Sequence, residues 1–374
     1  AGEAGLDAQT AGNIGPAMLD ALRDRIDADR LPKMWVLELS SFQLALAGRF
    51  DCSASVVLNV TQDHLDWHLT MAHYQASKLR VHRGSACCLV NLDDPLTDPA
   101  AAGPESDSPP AGIPARAARA SKARKPAPAP IAHAGFTLAE PAAAPAFGVV
   151  RDGGLAWLVE ALPDDDAPSR RRRTTPGVFR LNRLMPADAL RLHGSHNHAN
   201  VLAALALLRA AGLPMAPMLR GLQDFEPGPH RCTRIAVVHE VEYYDDSKGT
   251  NVGATIAALS GLGRRCVLIA GGLGKGQDFA PLGPVVRRHA RAVVLIGRDA
   301  PLLRAALEDT GVPLSDAATM EDAVRAAADL ARPGDAVLMS PACASFDMFR
   351  GYPHRAEVYI AAVRRVAEEA GQPC

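Results

Sequence analysis

Short apolar runs, most of them ending in a cluster of polar residues, recur between helical stretches along this chain, and that alternation limits the fold more than any other feature. WVLEL at Trp35–Leu39, VVLNV at Val56–Val60 and ACCLVNL at Ala86–Leu92 read as buried strands, and the pattern returns at Cys266–Gly271, Val293–Gly297 and Asp335–Met339. Runs that stay apolar on both faces predict strands covered by helices on both sides, hence an α/β fold built on mainly parallel, doubly wound sheets. In such sheets ligands collect outside the carboxyl ends of the strands. The polar clusters fall there: Thr61, Asp63, His64 and Asp66 after the second run, Asp245 to Asn251 after Val241–Tyr244, the loop GGLGKGQDF after Cys266–Gly271, and Ser340 to Ser345 after Asp335–Met339.

A chain of 374 residues exceeds one ordinary core. The extended FEPGPHR stretch at Phe225–Arg231 predicts a boundary, separating residues 1–226 from 227–374. Within the first part, Pro99 to Pro145 shifts to alanine, proline and small polar residues and predicts a mobile insertion, and after the basic run Arg170–Arg173 order returns at Leu190. Phe147–Leu162 predicts a hairpin turning at Asp152 and Gly153. The basic runs Arg116–Lys125 and Arg170–Arg173 read as solvated loops, and a net charge of -1 leaves no electrostatic footprint for nucleic acid. Seven cysteines without a C-x-x-C pair predict a reduced, cytoplasmic setting, and no apolar run is long enough to span a bilayer.

Individual residues carry chemistry of two kinds. Glu38 interrupts an apolar run and needs a partner there, a metal ion or an arginine. His64 can ligate a hard divalent ion, and Lys78, inside the helical pattern with Tyr74, can neutralise phosphate or take up carbon dioxide as an anionic carbamate. Asn13 sits in the small-residue turn AGNIG, and Asn197 and Asn200 share one face of a helix start, where amides can read a nucleobase or serve as plain caps. No G-x-x-x-x-G-K-[ST] phosphate loop occurs; Gly271 to Lys275 has the wrong spacing.

Taken together, GNIG at Gly12, LELSSFQL at Leu37, NVTQDHLD at Asn59, SKLR at Ser77, HNHAN at His196, PGPHR at Pro227, DDSKGTN at Asp245 and SPACASFD at Ser340 resemble the Mur ligases, in the order that family shows. The resemblance covers nearly the whole chain outside Pro99–Pro145. It implies a central ATP-binding-type domain followed by a Rossmann-like amino-acid-binding domain, and an ATP-dependent amide ligation through an acyl phosphate. Within the family it points to the branch that adds D-glutamate to UDP-N-acetylmuramoyl-L-alanine in peptidoglycan precursor synthesis. By the same resemblance Glu38, His64 and Lys78 hold magnesium at two sites, with Lys78 carbamylated. Asn13, Ser40 and Gln43 contact the muramoyl-peptide substrate; Asn197, Asn200, Arg231 and Asp246 meet ATP. Lys248, Thr250, Lys275, Ser345 and Tyr352 surround D-glutamate, and His64, Lys78 and Lys275 act on the reacting groups. Leu273 stands where some members place an acidic residue, which leaves Lys275 to act there alone.

The family's phosphate loop and UDP-binding domain have no counterpart before Ala1, so the expectation is a chain that is inactive by itself; separately, a monomer is expected. Two alternatives stand beside this reading. One is another Mur-type or folylpolyglutamate-type ligase; the other is a non-catalytic nucleotide-binding remnant.

Overall fold

A computed structural model describes residues 1–101, 132–163, 179–192, 194–226 and 228–372, and its chain divides into two units. The first comprises Ala1–Val60, Thr70–Arg191 and Asn197–Phe225; the second comprises Thr61–Leu69, Leu192–His196 and Glu226–Cys374. The basic runs Arg116–Lys125 and Arg170–Arg173 lie outside the described residues.

In the first unit, β1 (Ala8–Gly12) and β2 (Met34–Glu38) form a parallel pair of their own. The second sheet has six strands in the order β3 (Ser55–Val56), β4 (Cys87–Asn91), β5 (Ala132–Phe136), β6 (Ala146–Asp152), β7 (Leu155–Pro163) and β8 (Phe179–Pro186). Its first four strands run parallel, and β6 to β8 form an antiparallel meander.

Five expectations change here. WVLEL is a strand but not a buried one: Val36 and Leu37 are 44% and 41% exposed, and among the described residues β2 pairs only with β1. The VVLNV run leaves the ladder after Val56, and side chains take over its backbone. Asn91 Nδ2 donates to Leu58 O at 2.9 Å, and the Val60 amide donates to Asp94 Oδ2 at 2.7 Å. The alanine- and proline-rich insertion ends sooner than its composition suggested, since Ala132–Phe136 is a strand between β4 and β6. Its small residues are what the position requires: a Cβ on Gly135 would lie 2.7 Å from the Leu92 side chain. Order likewise resumes at β8, before Leu190, because the meander pairs Phe179–Pro186 with β7. The hairpin itself is present with its turn one residue later, at Gly153 and Gly154, both with positive φ.

The second unit is a six-stranded sheet in the order β13 (Leu314–Asp316), β12 (Ala290–Ile296), β11 (Cys266–Gly271), β14 (Ala336–Met339), β10 (Val241–Asp245), β9 (Thr233–Val238). All pairs are parallel except β9 with β10. Successive residues of β11 serve opposite layers, as the period of two demands. Val267 and Ile269 pack with Ala323, Val324, Tyr359 and Val363 from the helices Met320–Leu330 and Tyr352–Glu369. Leu268 and Ala270 pack with Leu259, Leu282, Val286 and Leu303 on the other side. All six β11 residues are buried, and each fully buried aliphatic side chain contributes about 1.5–3 kcal/mol. The chain crosses from one flank of the sheet to the other between β11 and β14, which places the loops after those strands at the switch point.

Candidate functional site

In the first unit the helix Met71–Leu79 lays Tyr74 and Leu79 on Val57 and Val60, which presents Lys78 to the end of the VVLNV run. Lys78 Nζ donates to Asn59 O at 3.0 Å and to Tyr74 Oη at 3.3 Å, and it lies 5.0 Å from the Tyr74 ring centroid. Glu38 is exposed at the carboxyl end of β2, where its carbonyl accepts from the Asn13 amide at 2.8 Å. Ser40 and Gln43 turn out to cap a helix. The Gln43 amide donates to Ser40 Oγ at 3.2 Å and the Ser40 amide donates to Gln43 Oε1 at 2.9 Å, a capping box on Ser41–Leu46. Asn197 and Asn200 lie in the first turns of the helix Ser195–Ala210, with Asn200 Nδ2 donating to Asn197 Oδ1 at 3.5 Å.

His64 belongs to the second unit, at the left-handed N-cap of Leu65–His68, with Nε2 3.6 Å from Asp63 Oδ2. Among the described residues, no group of three or more His, Cys, Asp or Glu side chains is placed to hold a metal ion.

The second unit gathers its predicted residues at the carboxyl ends of β10, β11 and β14. After β10, Asp245 is fully buried; it accepts from the Ser247 amide at 3.0 Å and pairs with His230 Nδ1 at 2.6 Å. Asp246 accepts from Ser340 Oγ at 2.6 Å and from the Cys232 amide at 3.2 Å. Lys248 Nζ lies 4.3 Å above the Tyr352 ring, a favourable cation–π contact, and the His230 ring meets the same tyrosine edge-on. Arg231 is exposed next to His230, and Thr250 precedes Asn251, the N-cap of Val252–Gly261.

After β11, Gly271 and Gly272 bring the glycine loop against its neighbours before Lys275, whose φ is 55°. Lys275 Nζ donates to Asp63 Oδ1 at 2.6 Å, with the two side chains 14% and 12% exposed. Asn251 Nδ2 donates to the other Asp63 oxygen at 3.3 Å. After β14, Ser345 is buried and Phe346 stands out into solvent. Lys248 stands over the Tyr352 ring, whereas the Lys275 ammonium is held by Asp63 and Ser345 is buried.

This chain is similar along its length to known proteins. Residues 21–109 match the Mur ligase middle domain, and residues 230–343 match the Mur ligase, glutamate ligase domain. The UDP-N-acetylmuramoylalanine--D-glutamate ligase of Burkholderia mallei (strain SAVP1) is 55% identical over 380 residues, covering 98% of this chain and 70% of the relative. The chain belongs to the Mur ligase family. Two solved structures share the family fold at low identity. MurF from Acinetobacter baumannii matches with a TM-score of 0.57 at 14% identity, covering 90% of this chain and 68% of that one. Mycobacterium tuberculosis folylpolyglutamate synthase complexed with ADP and AMPPCP matches with 0.55 at 16%, covering 94% and 73%.

Within this Mur ligase fold, burial pushes the Asp246 carboxyl up to about 7, against the pull of its bonds from Ser340 and the Cys232 amide. Its folded value lies above the unfolded one. The native state therefore holds a proton that the unfolded chain has lost, and stability falls as pH rises from about 4 to about 7, by up to roughly 4 kcal/mol. Asp246→Asn removes that titration and can keep both hydrogen bonds. It is expected to melt higher than the unaltered chain at pH 8 and no higher at pH 4.5; melting curves that stay parallel across this range would contradict the assignment.

Sequence reading missed Arg355 and Gln277. Gln277 Oε1 accepts from the Val252 amide at 3.0 Å and Nε2 donates to Ala342 O at 2.7 Å. Arg355 lies on the buried stripe of Tyr352–Glu369, between Gly351 and Tyr359; a charge at that helical spacing was the available signal.

Proposed function

We propose that this chain joins D-glutamate to UDP-N-acetylmuramoyl-L-alanine in an ATP-dependent, cytoplasmic reaction of peptidoglycan precursor synthesis. The observation that carries this reading is the 55% identity, over 98% of the chain, to a relative bearing the name of that ligase. The alanyl carboxylate attacks the γ-phosphorus, ADP leaves, and the deprotonated amine of D-glutamate then displaces inorganic phosphate from the acyl phosphate. Positioning and charge neutralisation supply most of the acceleration in such transfers.

Lys248, Thr250, Lys275, Ser345 and Tyr352 take the amino acid. The ammonium of Lys275 holds a carboxylate while the amine is left free to attack, and it exchanges Asp63 for substrate in doing so. Asn197, Asn200, Arg231 and Asp246 meet ATP, and Asn13, Ser40 and Gln43 face the muramoyl substrate; the capping box leaves Ser40 and Gln43 to do this through a rigid helix start. Glu38, His64 and Lys78 form the proposed magnesium set. It fits a hard ion in part: Glu38 supplies a carboxylate and His64 an imidazole, whereas the Lys78 nitrogen, a hydrogen-bond donor to Asn59 and Tyr74, adds oxygen ligands only as a carbamate. Magnesium, when bound, neutralises phosphate oxygens.

The test is phosphate release from ATP and UDP-N-acetylmuramoyl-L-alanine with D-glutamate, L-glutamate, L-alanine or a diamino acid, on these 374 residues and on a version extended upstream. D-Glutamate is expected to be required. Faster release with another amino acid, or release that ignores the amino acid in both versions, would refute the proposal.

A further inference from the structure

The strand-end surface is made of separate loops held in register by contacts between them. The Ala342 amide donates to Gly249 O at 3.1 Å, and Ser340 reaches Asp246. Beneath both lies Arg355, fully buried although it carries a charge. Its Nη1 donates to Cys343 O at 3.0 Å and its Nη2 to Ser247 O at 2.8 Å, while Nε has no hydrogen-bond partner among the described residues. Burial lowers its pKa to about 10, so the guanidinium stays charged at neutral pH.

We infer that Arg355 is a positioning residue for the amino-acid site, a two-pronged clamp that sets the spacing between the loop bearing Lys248 and Thr250 and the loop bearing Ser345. Burying a guanidinium is unfavourable, and two neutral carbonyls return only part of that cost. A hydrophobic residue would fill the same space more stably, and a charge at this point is explained by what the fork does. One planar group fixes the distance between two acceptors, which neither an ammonium nor an apolar side chain can do. The two carbonyls sit two residues before Ser345 and one before Lys248, so a shift at either is carried directly to a side chain that faces the substrate. The inference rests on the proposed role of those side chains in binding D-glutamate.

Arg355→Lys and Arg355→Met are the variants to compare, by amide hydrogen exchange and by steady-state kinetics in the active form of the enzyme. Exchange is expected to quicken in residues 245–250 and 340–346 while β11 and β12 keep their protection. The KM for D-glutamate is expected to rise at least about tenfold in Arg355→Lys, with the KM for ATP within about twofold, since an interaction with one substrate is altered and not the whole fold. Unchanged exchange in both loops, or a lowered melting temperature with the KM for D-glutamate unmoved, would overturn the clamp as a positioning device. Quickened loop exchange in a protein whose unaltered form needs no D-glutamate would leave the clamp standing and overturn the amino-acid reading.

Discussion

Gly271→Ala is expected to destabilise the second unit by more than about 3 kcal/mol, lowering its melting temperature by roughly 10 °C. Gly271 ends β11 at a φ of 134°, and a Cβ there would stand 1.8 Å from Ile296 O. The Cβ position is fixed by the Gly271 backbone and the oxygen belongs to the Ile296 backbone, opposite each other in a parallel pair in the centre of the sheet, so neither can swing away as a side-chain tip would. Relief requires opening the end of β11 from β12, and the Gly271 amide would lose its bond to Pro341 O in the process. Gly272 repeats the constraint on the next residue, where a Cβ would meet Ala344 O at 2.3 Å. Gly276 supplies the control: its φ is also positive, at 74°, but the space beside it is open, so Gly276→Ala carries only the left-handed backbone strain of about 1 kcal/mol. Thermal melts of the two variants decide the matter. A Gly271→Ala protein that melts with Gly276→Ala would mean that β11 does not approach β12 so closely.

Lys275→Met is expected to lower kcat/KM for D-glutamate by at least about a hundredfold while leaving the KM for ATP nearly unchanged. The methionine keeps most of the stem volume and removes the ammonium. Loss of the ion pair leaves Asp63 with the Asn251 amide and its neighbour's backbone N–H, so the carboxylate is not stranded and the fold is expected to lose no more than about 2 kcal/mol. Asp63→Asn is the complementary change. It weakens the group that competes with substrate for Lys275, and the expected result is a KM for D-glutamate equal to or below that of the unaltered enzyme. Kinetics on the pair separate binding from scaffolding: if Lys275→Met retains the unaltered dependence on D-glutamate, Lys275 is a structural partner of Asp63 and not a substrate contact.

The apolar runs of the second half were legible because each is buried on both faces and therefore stays apolar without interruption, as in CVLIAG, AVVLI and AVLM. The first half was harder for the same physical reason in reverse. β5 is AHAGF, a strand that earns its place by being small against Leu92, and nothing in its composition distinguishes it from the alanine-rich stretch before it. β2 looks like a core strand in sequence and is half exposed, because burial depends on what lies across from a strand and the run itself carries no record of that.

The site divides along the same line. Strand-end clusters of polar residues marked Asp246, Lys248, Thr250, Lys275 and Ser345, whereas Tyr352, and a role for each of the six, came only from the family resemblance. Which of those groups are spoken for was decided by tertiary structure. Ser40 Oγ and Gln43 Oε1 are taken up in a helix cap, Lys275 is held by a carboxylate 212 positions away, and Asp246 is driven toward neutrality by burial that no local pattern reports. Hydrogen bonds and desolvation act over a few ångströms in space, whatever the separation in the chain; the charge of a residue is written in the sequence, but the partner and the dielectric around it exist only once the chain is folded.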